Sequence, residues 1–429
     1  MSTDRGSHAT GTGNAPGKWT SLFPALAEQP FRILWLTMLP GVLAMQMYFF
    51  TIGYLAFEIT GAAKSIGYIS LGFGIPMLTL SLAGGMAADR YPKRMVLLIS
   101  QASMAVAALI MAVLVMTELV RVWHLVIISG VMATAFTFHM PARQSFITEL
   151  TSPARLMNAI ALNSSGLNAC RVIGPPLAGW LISKPWLDIG GVCVIMAAML
   201  LVVVFGLLRI PERGVLGPSE ESSASRAVLD GILYIRGNPA LFVLLALSLA
   251  PFILGMPFQA LMPVFAKNVF GVGPKELGFL MMANGVGAFL GSLVVASVSG
   301  LKRPGMVQLV LGVLFGLGLA VFAFGHSYAL GLAMMVILGI LSSSYLSLNA
   351  TLIMDAADKR YHGRVMSVYM LTFSALPLGN MLQSVCADTF TAPVTVGVGG
   401  LLLAACVLIF GLLSPAYRRM TYGSSGRSG

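Results

Sequence analysis

The chain has 429 residues, of which 57% are hydrophobic and only 10% are charged. Soluble domains carry roughly 25% charged residues, so this depletion excludes an ordinary soluble globular protein and indicates a surface that faces lipid. The net charge of +11 is scattered between apolar runs, which argues against a nucleic-acid-binding groove. The four cysteines lie within apolar runs without metal-ligand spacing, so we expect no metal site and no cofactor.

Twelve apolar runs are long enough to cross a bilayer, because a spanning helix needs about 20 mostly apolar residues. Helix is the expected form, because an isolated strand leaves its backbone groups unpaired in lipid. The predicted spans are 31–57, 65–88, 95–117, 122–141, 158–183, 188–209, 239–266, 275–299, 305–325, 327–350, 364–387 and 392–414.

These spans divide into two sets of six. We predict an N-terminal six-helix bundle over 31–209 and a C-terminal six-helix bundle over 239–414. The linker between them, 210–238, ends in alternating apolar and charged residues that predict an amphipathic helix on the inner membrane surface. The small polar residues of 1–30 and 415–429 predict disordered cytoplasmic tails.

The distribution of charge predicts the orientation. With both termini in the cytoplasm, 20 of the 26 Lys and Arg residues fall on the inner side. This asymmetry follows the positive-inside rule, so we expect a multi-pass protein of the inner cell membrane with both ends cytoplasmic.

An internal repeat relates the two halves at an offset of 209 residues. Pro30 then matches Pro239, Gly130 matches Gly339 and Met157 matches Met366. A repeat of this size predicts an all-α membrane protein of twelve transmembrane helices in two pseudo-symmetric bundles, with a cavity between them. The chain has no G-x-x-x-x-G-K-[ST] run, so we expect an ion gradient as the energy source rather than ATP.

The segment 84–94, GGMAADRYPKR, joins the second and third predicted spans. It resembles the loop signature G-x-x-x-D-R-x-G-x-R of the major facilitator superfamily, with Gly85, Asp89, Arg90 and Arg94 at the matching positions. Pro92 stands where the signature has its second Gly. The resemblance implies a secondary transporter that works by alternating access.

Two further segments resemble one branch of that superfamily. The segment 141–150, PARQSFITEL, is similar to a P-A-R-Q-x-x-x-P-E-L loop of bacterial exporters that include enterobactin exporters and macrolide efflux proteins, with Thr148 in place of the Pro. Gly174, Pro175 and Gly179 of the fifth span resemble the signature of proton-driven exporters. The direction of transport is therefore implied by resemblance, and composition does not show it.

The resemblance also implies a gate at the inner surface. Asp89 and Arg94 would tie the halves together near the start of the eleventh helix while the cavity faces outward, and matching inner contacts are expected from Glu149, Arg155, Asp355 and Arg364. The alternative is that Arg90, Lys93 and Arg94 anchor lipid headgroups, and both roles can coexist.

Arg171 is the first candidate for contact with cargo, because a charged side chain at mid-span is costly unless it is paired or hydrated. It would recognise an anionic or carbonyl group, or alternatively hydrogen-bond a neighbouring helix; its repeat mate is Asn380. The other candidates for the cavity lining are Met, aromatic and amide residues, for which ordinary helix packing is the alternative. They are Gln46, Met47, Phe50, Tyr54, Phe136, Asn163, Met256, Gln259, Tyr345 and Asn349.

Proton coupling needs a titratable group whose surroundings change. The spans hold no acidic residue at their middle, and Glu58, at the outer end of the first span, is the preferred candidate. His139 is a second candidate, because an imidazole titrates near neutral pH. The alternatives are a solvated loop acid and a hydrogen-bonded histidine.

The sequence thus predicts a monomeric transporter, and not an enzyme, whose partners are a small molecule, protons and the lipid bilayer. Its preferred function is export of a hydrophobic or amphipathic molecule such as a drug, a macrolide-like compound, a siderophore or a metabolite. An importer of a polar nutrient is the alternative on the same fold. A membrane sensor without a transport cycle is a third possibility, because fold does not fix function.

Overall fold

The computed structural model describes residues 23–210, 224–297 and 303–413, and its secondary structure over these ranges is helical. The predicted C-terminal tail and most of the N-terminal one lie outside these ranges. The helices are α1 (Gln29–Thr60), α2 (Lys64–Arg90), α3 (Lys93–Met116), α4 (Val122–Leu150), α5 (Leu156–Ile182), α6 (Asp188–Leu208), α7 (Ala224–Arg236), α8 (Pro239–Val269), α9 (Pro274–Ser297), α10 (Pro304–Phe324), α11 (Tyr328–Ala356), α12 (Lys359–Phe390) and α13 (Ala392–Leu413).

Ten of the described helices are long and apolar enough to cross a membrane, and α2 makes an eleventh if its two segments, bent by 53°, form one span. The remaining predicted span, α5, has 27 residues and so reaches about 40 Å at 1.5 Å per residue. Its composition is more polar than that of the others, because it carries Asn163, Asn168 and Arg171. The predicted count of twelve is therefore reached only if the bent α2 and the polar α5 are included.

The two halves repeat the same helix pairs. In the first half α2 lies along α4 and α3 lies along α6; in the second half α9 lies along α11 and α10 lies along α13. Two further pairs, α2 with α12 and α5 with α9, join the halves. This arrangement is the pseudo-symmetric pair of bundles that the repeat predicts.

Proline residues interrupt α8 and α12. In α8, Pro251–Gly255 forms a π turn and Met256–Gln259 forms a 3₁₀ turn, because a proline ring removes a backbone donor. The carbonyl of Leu254 accepts a hydrogen bond of 2.7 Å from Nε2 of Gln383 on α12. A neighbouring side chain thus satisfies the backbone group that the break releases, as membrane helices require.

Three sequence expectations about unstructured segments are corrected. The signature segment is mostly helical, because α2 runs to Arg90 and α3 begins at Lys93. The segment 141–150 is helical too, since α4 continues through Pro141 to Leu150. Residues 24–27 of the predicted N-terminal tail form a 3₁₀ turn, and the buried Ala25 donates its N–H to Asn158. In each place local composition suggested a loop, and contacts with the bundle extend the helical structure.

The predicted linker helix exists as α7, and it contacts the second half. The ring of Tyr234 stacks on that of Tyr361 with a centroid distance of 4.1 Å, and Asp230 pairs with Arg364 at 3.3 Å. Arg364 is therefore engaged with the linker helix in this conformation. The location of α7 on the membrane surface stays a prediction.

Small residues allow α9 and α11 to approach closely. A Cβ atom on Gly287 would lie 2.1 Å from the carbonyl oxygen of Val336, and one on Gly339 would lie 2.2 Å from that of Asn284. Both obstructing atoms belong to the backbone, which cannot turn aside as a side chain does. Close backbone approach at small residues is how membrane helices gain packing energy.

We predict that Gly287→Ala lowers the free energy of unfolding by about 1–3 kcal/mol, the usual cost of overpacking. Gly53→Ala is the matched control, because a Cβ atom there meets nothing within 4 Å. Unfolding of both purified variants by titration with dodecyl sulfate measures the difference. Equal stability of the two variants would show that α9 and α11 can move apart without cost.

Candidate functional site

The two halves meet at the end of the molecule that lies away from the described chain ends. There the carboxylate of Asp388 on α12 accepts hydrogen bonds from the backbone N–H groups of Ala63, at 2.6 Å, and Lys64, at 3.0 Å. These N–H groups begin α2, and a helix N-terminus favours negative charge. This contact binds the second half to the first by charge-assisted hydrogen bonds.

An ion pair at the same end marks the symmetry axis. Glu58 on α1 and Lys267 on α8 are 2.9 Å apart and are separated by 209 residues, which is the repeat offset. Residues related by a two-fold axis can touch only near that axis, so the pair lies on the pseudo-two-fold axis between the bundles. About half of each side chain is exposed, so the pair contributes little energy.

The signature segment of α5, with Gly174, Pro175 and Gly179, forms a third contact between the halves. A Cβ atom on Gly179 would lie 2.2 Å from the carbonyl oxygen of Pro274, and one on Gly278 of α9 would lie 2.8 Å from that of Pro175. On another face of α5, a Cβ atom on Gly174 would lie 2.5 Å from Cβ of Gln46. The signature therefore lets α5 approach both α1 and α9.

The predicted inner gate residues are engaged within their own halves. Glu149 pairs with Lys93, and Arg155 pairs with Glu28 at 3.5 Å. Arg94 donates hydrogen bonds to the carbonyls of Leu207 and Leu208 at 2.9 and 2.8 Å.

Arg94 thereby caps the C-terminus of α6, a position where cations are favoured. Asp89 and Arg90 are exposed at the end of α2, Gly85 has open space beside it, and Asp355 is partly exposed. Their gate function stays a prediction for another conformation.

Helix α5 contacts two neighbours through two different faces. Cys170 donates a hydrogen bond to the carbonyl of Leu39 at 3.7 Å, and this face, which Gly174 shares, is turned to α1. Val172 lies on the other face, since a Cβ atom on Gly285 of α9 would lie 3.3 Å from it. Residues three or four apart share a helix face. The helical repeat therefore determines which residues of α5 lie between the face on α1 and the face on α9.

Arg171 lies between the face that contacts α1 and the face that contacts α9. The lipid-facing side of α5 is the opposite one, where Ile173 and Trp180 are 52% and 43% exposed. Arg171 itself is exposed, and so it faces the space between the two halves. A guanidinium group is costly in lipid, and this position avoids that cost; contact of Arg171 with cargo stays a prediction.

Arg143 is a buried cation that sequence reasoning missed. It is 5% exposed, and its Nη2 donates to Oδ1 of Asn163 on α5. Its Nε has no hydrogen-bond partner. The predicted fourth span ends at 141, and this places Arg143 among the charges of the inner surface. The continuation of α4 to Leu150 places it inside the bundle instead.

Two other candidates form polar contacts within the bundles. Nδ1 of His139 lies 3.3 Å from Nε2 of Gln101, and His139 is 5% exposed. In the second half, Nε2 of Gln259 donates to Oδ1 of Asn284 at 3.1 Å and lies 4.0 Å from the sulfur of Met256.

Several predicted cavity residues are buried by helix packing instead. Met47, Phe50, Tyr345 and Asn349 are at most 2% exposed. Tyr345 donates to the carbonyl of Leu247 at 2.7 Å, and Asn349 donates to Ser248 and accepts from Gln308. Their assignment to a cavity is not supported in this conformation, because packing buries Met47 and Phe50 and these hydrogen bonds hold Tyr345 and Asn349 inside the second half.

The remaining candidates are partly exposed. An aromatic cluster connects one of them, Phe136, to α1. Phe49 lies 5.2 Å from Phe73, which lies 6.2 Å from Phe136, between ring centroids. Gln46 and Tyr54 are partly exposed on α1. Asn380 donates to Ser70 across the halves at 3.2 Å.

A groove of about 640 Å³ lies elsewhere, between α2, α3 and α4. Its wall includes exposed apolar side chains such as Tyr91, Ile99 and Ile127, so it opens toward lipid rather than between the halves. None of the predicted site residues lines it. It is lined by Pro76, Ala87, Tyr91, Met95, Val96, Ile99, Ser100, Ser103, Ile127, Gly130, Val131, Thr134, Ala135 and Phe138.

The family model of the Major Facilitator Superfamily matches residues 34–379. The chain belongs to the Major Facilitator Superfamily. Solved structures agree on the fold: an inward-facing, occupied bacterial homolog of the human lysosomal transporter Spinster has a TM-score of 0.71 at 17% identity, covering 91% of this chain and 99% of that one. This superfamily protein is accordingly a multi-pass membrane transporter.

Curated relatives are similar over most of the chain. The staphyloferrin A transporter of Staphylococcus aureus is 25% identical over 357 residues, covering 81% of this chain and 87% of the relative. Macrolide efflux protein A of Streptococcus pyogenes is 23% identical over 338 residues, covering 77% and 82%. The superfamily resemblance predicted from residues 84–94 is confirmed.

We predict that Asp388→Ala opens the contact between the halves more than Glu58→Gln does. A charged hydrogen bond contributes about 1.5–3 kcal/mol, which is at least about tenfold in an equilibrium. An exposed ion pair contributes about 0–1 kcal/mol.

The measurement is the rate at which a membrane-impermeant maleimide labels Ala63→Cys, which is 2% exposed at the contact. The background replaces the four native cysteines with serine. We expect about tenfold faster labelling with Asp388→Ala and at most a few-fold change with Glu58→Gln. The reverse order would contradict the assignment of the stronger contact.

Proposed function

We propose that this transporter exports hydrophobic or amphipathic small molecules across the cell membrane by alternating access, in exchange for protons. Both described chain ends would lie on the cytoplasmic side, where most of the Lys and Arg residues fall. The contact between the halves would then close the outer end, and the structure would represent the inward-facing state.

The observation that carries this proposal is the asymmetry between the two ends. At one end Asp388 and the Glu58–Lys267 pair join the halves. At the other end the Lys93–Glu149 pair lies within the first half, and the Arg364–Asp230 pair joins the second half to the linker helix α7. Two bundles that meet at one end can exchange that contact for one at the other, as alternating access requires.

Similarity supports the export direction. Relatives with efflux or export in their names match across most of the chain, among them the multidrug efflux pump Tap of Mycolicibacterium fortuitum, 25% identical over 348 residues. The names of two other relatives give staphyloferrin A and macrolides as the cargo of those proteins. The Phe49, Phe73 and Phe136 cluster would offer an apolar surface to such a molecule.

We also propose that protons act on the outer contact. Glu58 and Asp388 are the acidic groups that join the halves, and protonation would remove the charge that each contributes. Loss of these charges would weaken the outer contact and so favour the outward-open state, in which the cargo would be released. His139 is the second candidate, although its contact with Gln101 gives it a structural role in this conformation.

The test uses inside-out membrane vesicles with an acidic interior and a panel of amphipathic compounds. We expect compounds that are cargo to collapse the pH gradient, since their inward movement releases protons from the vesicle. Asp388→Asn should weaken this response, whereas Glu118→Gln, an exposed acid in another loop at the same end, should leave it unchanged. Absence of any response from folded protein would contradict proton-coupled export.

A further inference from the structure

Two guanidinium groups lie on the same wall of the first half. Arg143 on α4 contacts α5 through Asn163, and Arg171 lies eight residues beyond Asn163 on α5, about 12 Å along the helix. We infer that this wall binds the anionic group of the cargo, a carboxylate, sulfonate or phosphate, so that the transporter selects amphipathic anions. The inference rests on the proposed transport function.

Among the residues that the structure describes, no acidic side chain lies near the middle of a span to neutralise these cations. The acid closest to Arg143 in sequence is Glu149, and it pairs with Lys93. Glu58 and Asp388, the two acids that join the halves at the other end, are held by Lys267 and by the start of α2.

Arg143 therefore has no carboxylate among its described contacts. A cation in this setting is stabilised by an anion from elsewhere. Its Nε is buried and has no hydrogen-bond partner, so the groups described around Arg143 do not fully satisfy its guanidinium.

Arg171 supplies the accessible part of this site. It is exposed between the halves, in the middle of α5, where water-filled space is the condition for its charge. A guanidinium group binds carboxylate, sulfonate and phosphate oxygens with two parallel N–H donors. The accessible Arg171 would contact the anion directly, and the buried Arg143 would raise the positive potential behind it.

The opposite wall carries no matching charge. At the repeat offset of 209, Arg171 corresponds to Asn380, Arg143 to Leu352 and His139 to Leu348. The two leucines are 1% exposed inside the second half. Positive charge on one wall and apolar or amide groups on the other suit a molecule with an anionic end and an apolar body.

A purely structural role for the two arginines makes a different prediction. If Arg143 and Arg171 served only to hold α4 and α5 in place, the space beside them would show no preference between anions and cations. A probe of the local potential separates these roles and does not require the cargo to be known.

Ser164→Cys provides that probe, in a background whose native cysteines are replaced by serine. Ser164 is exposed and lies seven residues before Arg171, on the same face of α5. We would compare its reaction rates with the sulfonatoethyl (anionic) and trimethylammonioethyl (cationic) methanethiosulfonate reagents, relative to a free thiol.

We expect the anionic reagent to be favoured about tenfold. Arg143→Gln and Arg171→Gln should each reduce this preference several-fold, while Lys184→Gln, a cation beyond the end of α5, should not. Equal reactivity with both reagents would overturn the inference, whatever the protein transports.

A transport assay with dyes of different charge distinguishes an error in the inferred anion selectivity from an error in the proposed function. Inside-out vesicles would receive anilinonaphthalene sulfonate (anionic), rhodamine 6G (cationic) or Nile red (neutral). We expect uptake of the anion, its loss by tenfold or more in Arg171→Gln, and partial retention in Arg171→Lys.

Uptake of the cation or the neutral dye without the anion would overturn the inference and leave export standing. If folded protein moves none of the three dyes and no compound of the wider panel, proposed function and inference both fail.

Discussion

The contact of Asp388 with the first turn of α2 is the interaction on which this conformation depends. One carboxylate accepts two backbone N–H groups at a helix N-terminus, where the helix dipole adds to the attraction. It is the strongest polar contact described between the halves. In the proposed orientation this contact closes the outer end, and the proposal of an inward-facing state depends on it.

The internal repeat gives this seal its geometry and also its asymmetry. Asp388 corresponds at the repeat offset to Gly179, which meets the carbonyl of Pro274 at the start of α9. Thus the two equivalent contacts are made by a carboxylate on one side and by close backbone packing on the other. A contact that one proton can weaken, next to one that no proton affects, is compatible with a cycle driven by a proton gradient.

The fold could be predicted almost entirely from the sequence. Apolar run length, the offset between the halves and the segment 84–94 are local or periodic signals, and each is readable without tertiary contacts. Helix ends were less predictable. Pro141 suggested the end of a span, yet packing carries α4 on to Leu150, and this error concealed the burial of Arg143.

The candidate site was less predictable because it depends on which faces converge. Arg171 was identified because a mid-span charge is informative by itself. Met47 and Asn349 looked equally suitable, but their faces are turned into the bundles. The Glu58–Lys267 pair had a usable signal: opposite charges occupy matching positions of the two repeats, which places both near the symmetry axis.

The central claim is that the halves exchange contact at one end for contact at the other. Paired spin labels in lipid nanodiscs test it most directly, with distances measured by double electron–electron resonance. Glu118 and Ser327, exposed repeat mates, report on the closed end, and Tyr91 with Lys359 report on the other. We predict two distance populations at each end of the molecule. The state with the short distance at one end has the long distance at the other. Asp388→Ala should change the relative populations at both ends. Distances that stay single and unchanged at both ends would contradict alternating access.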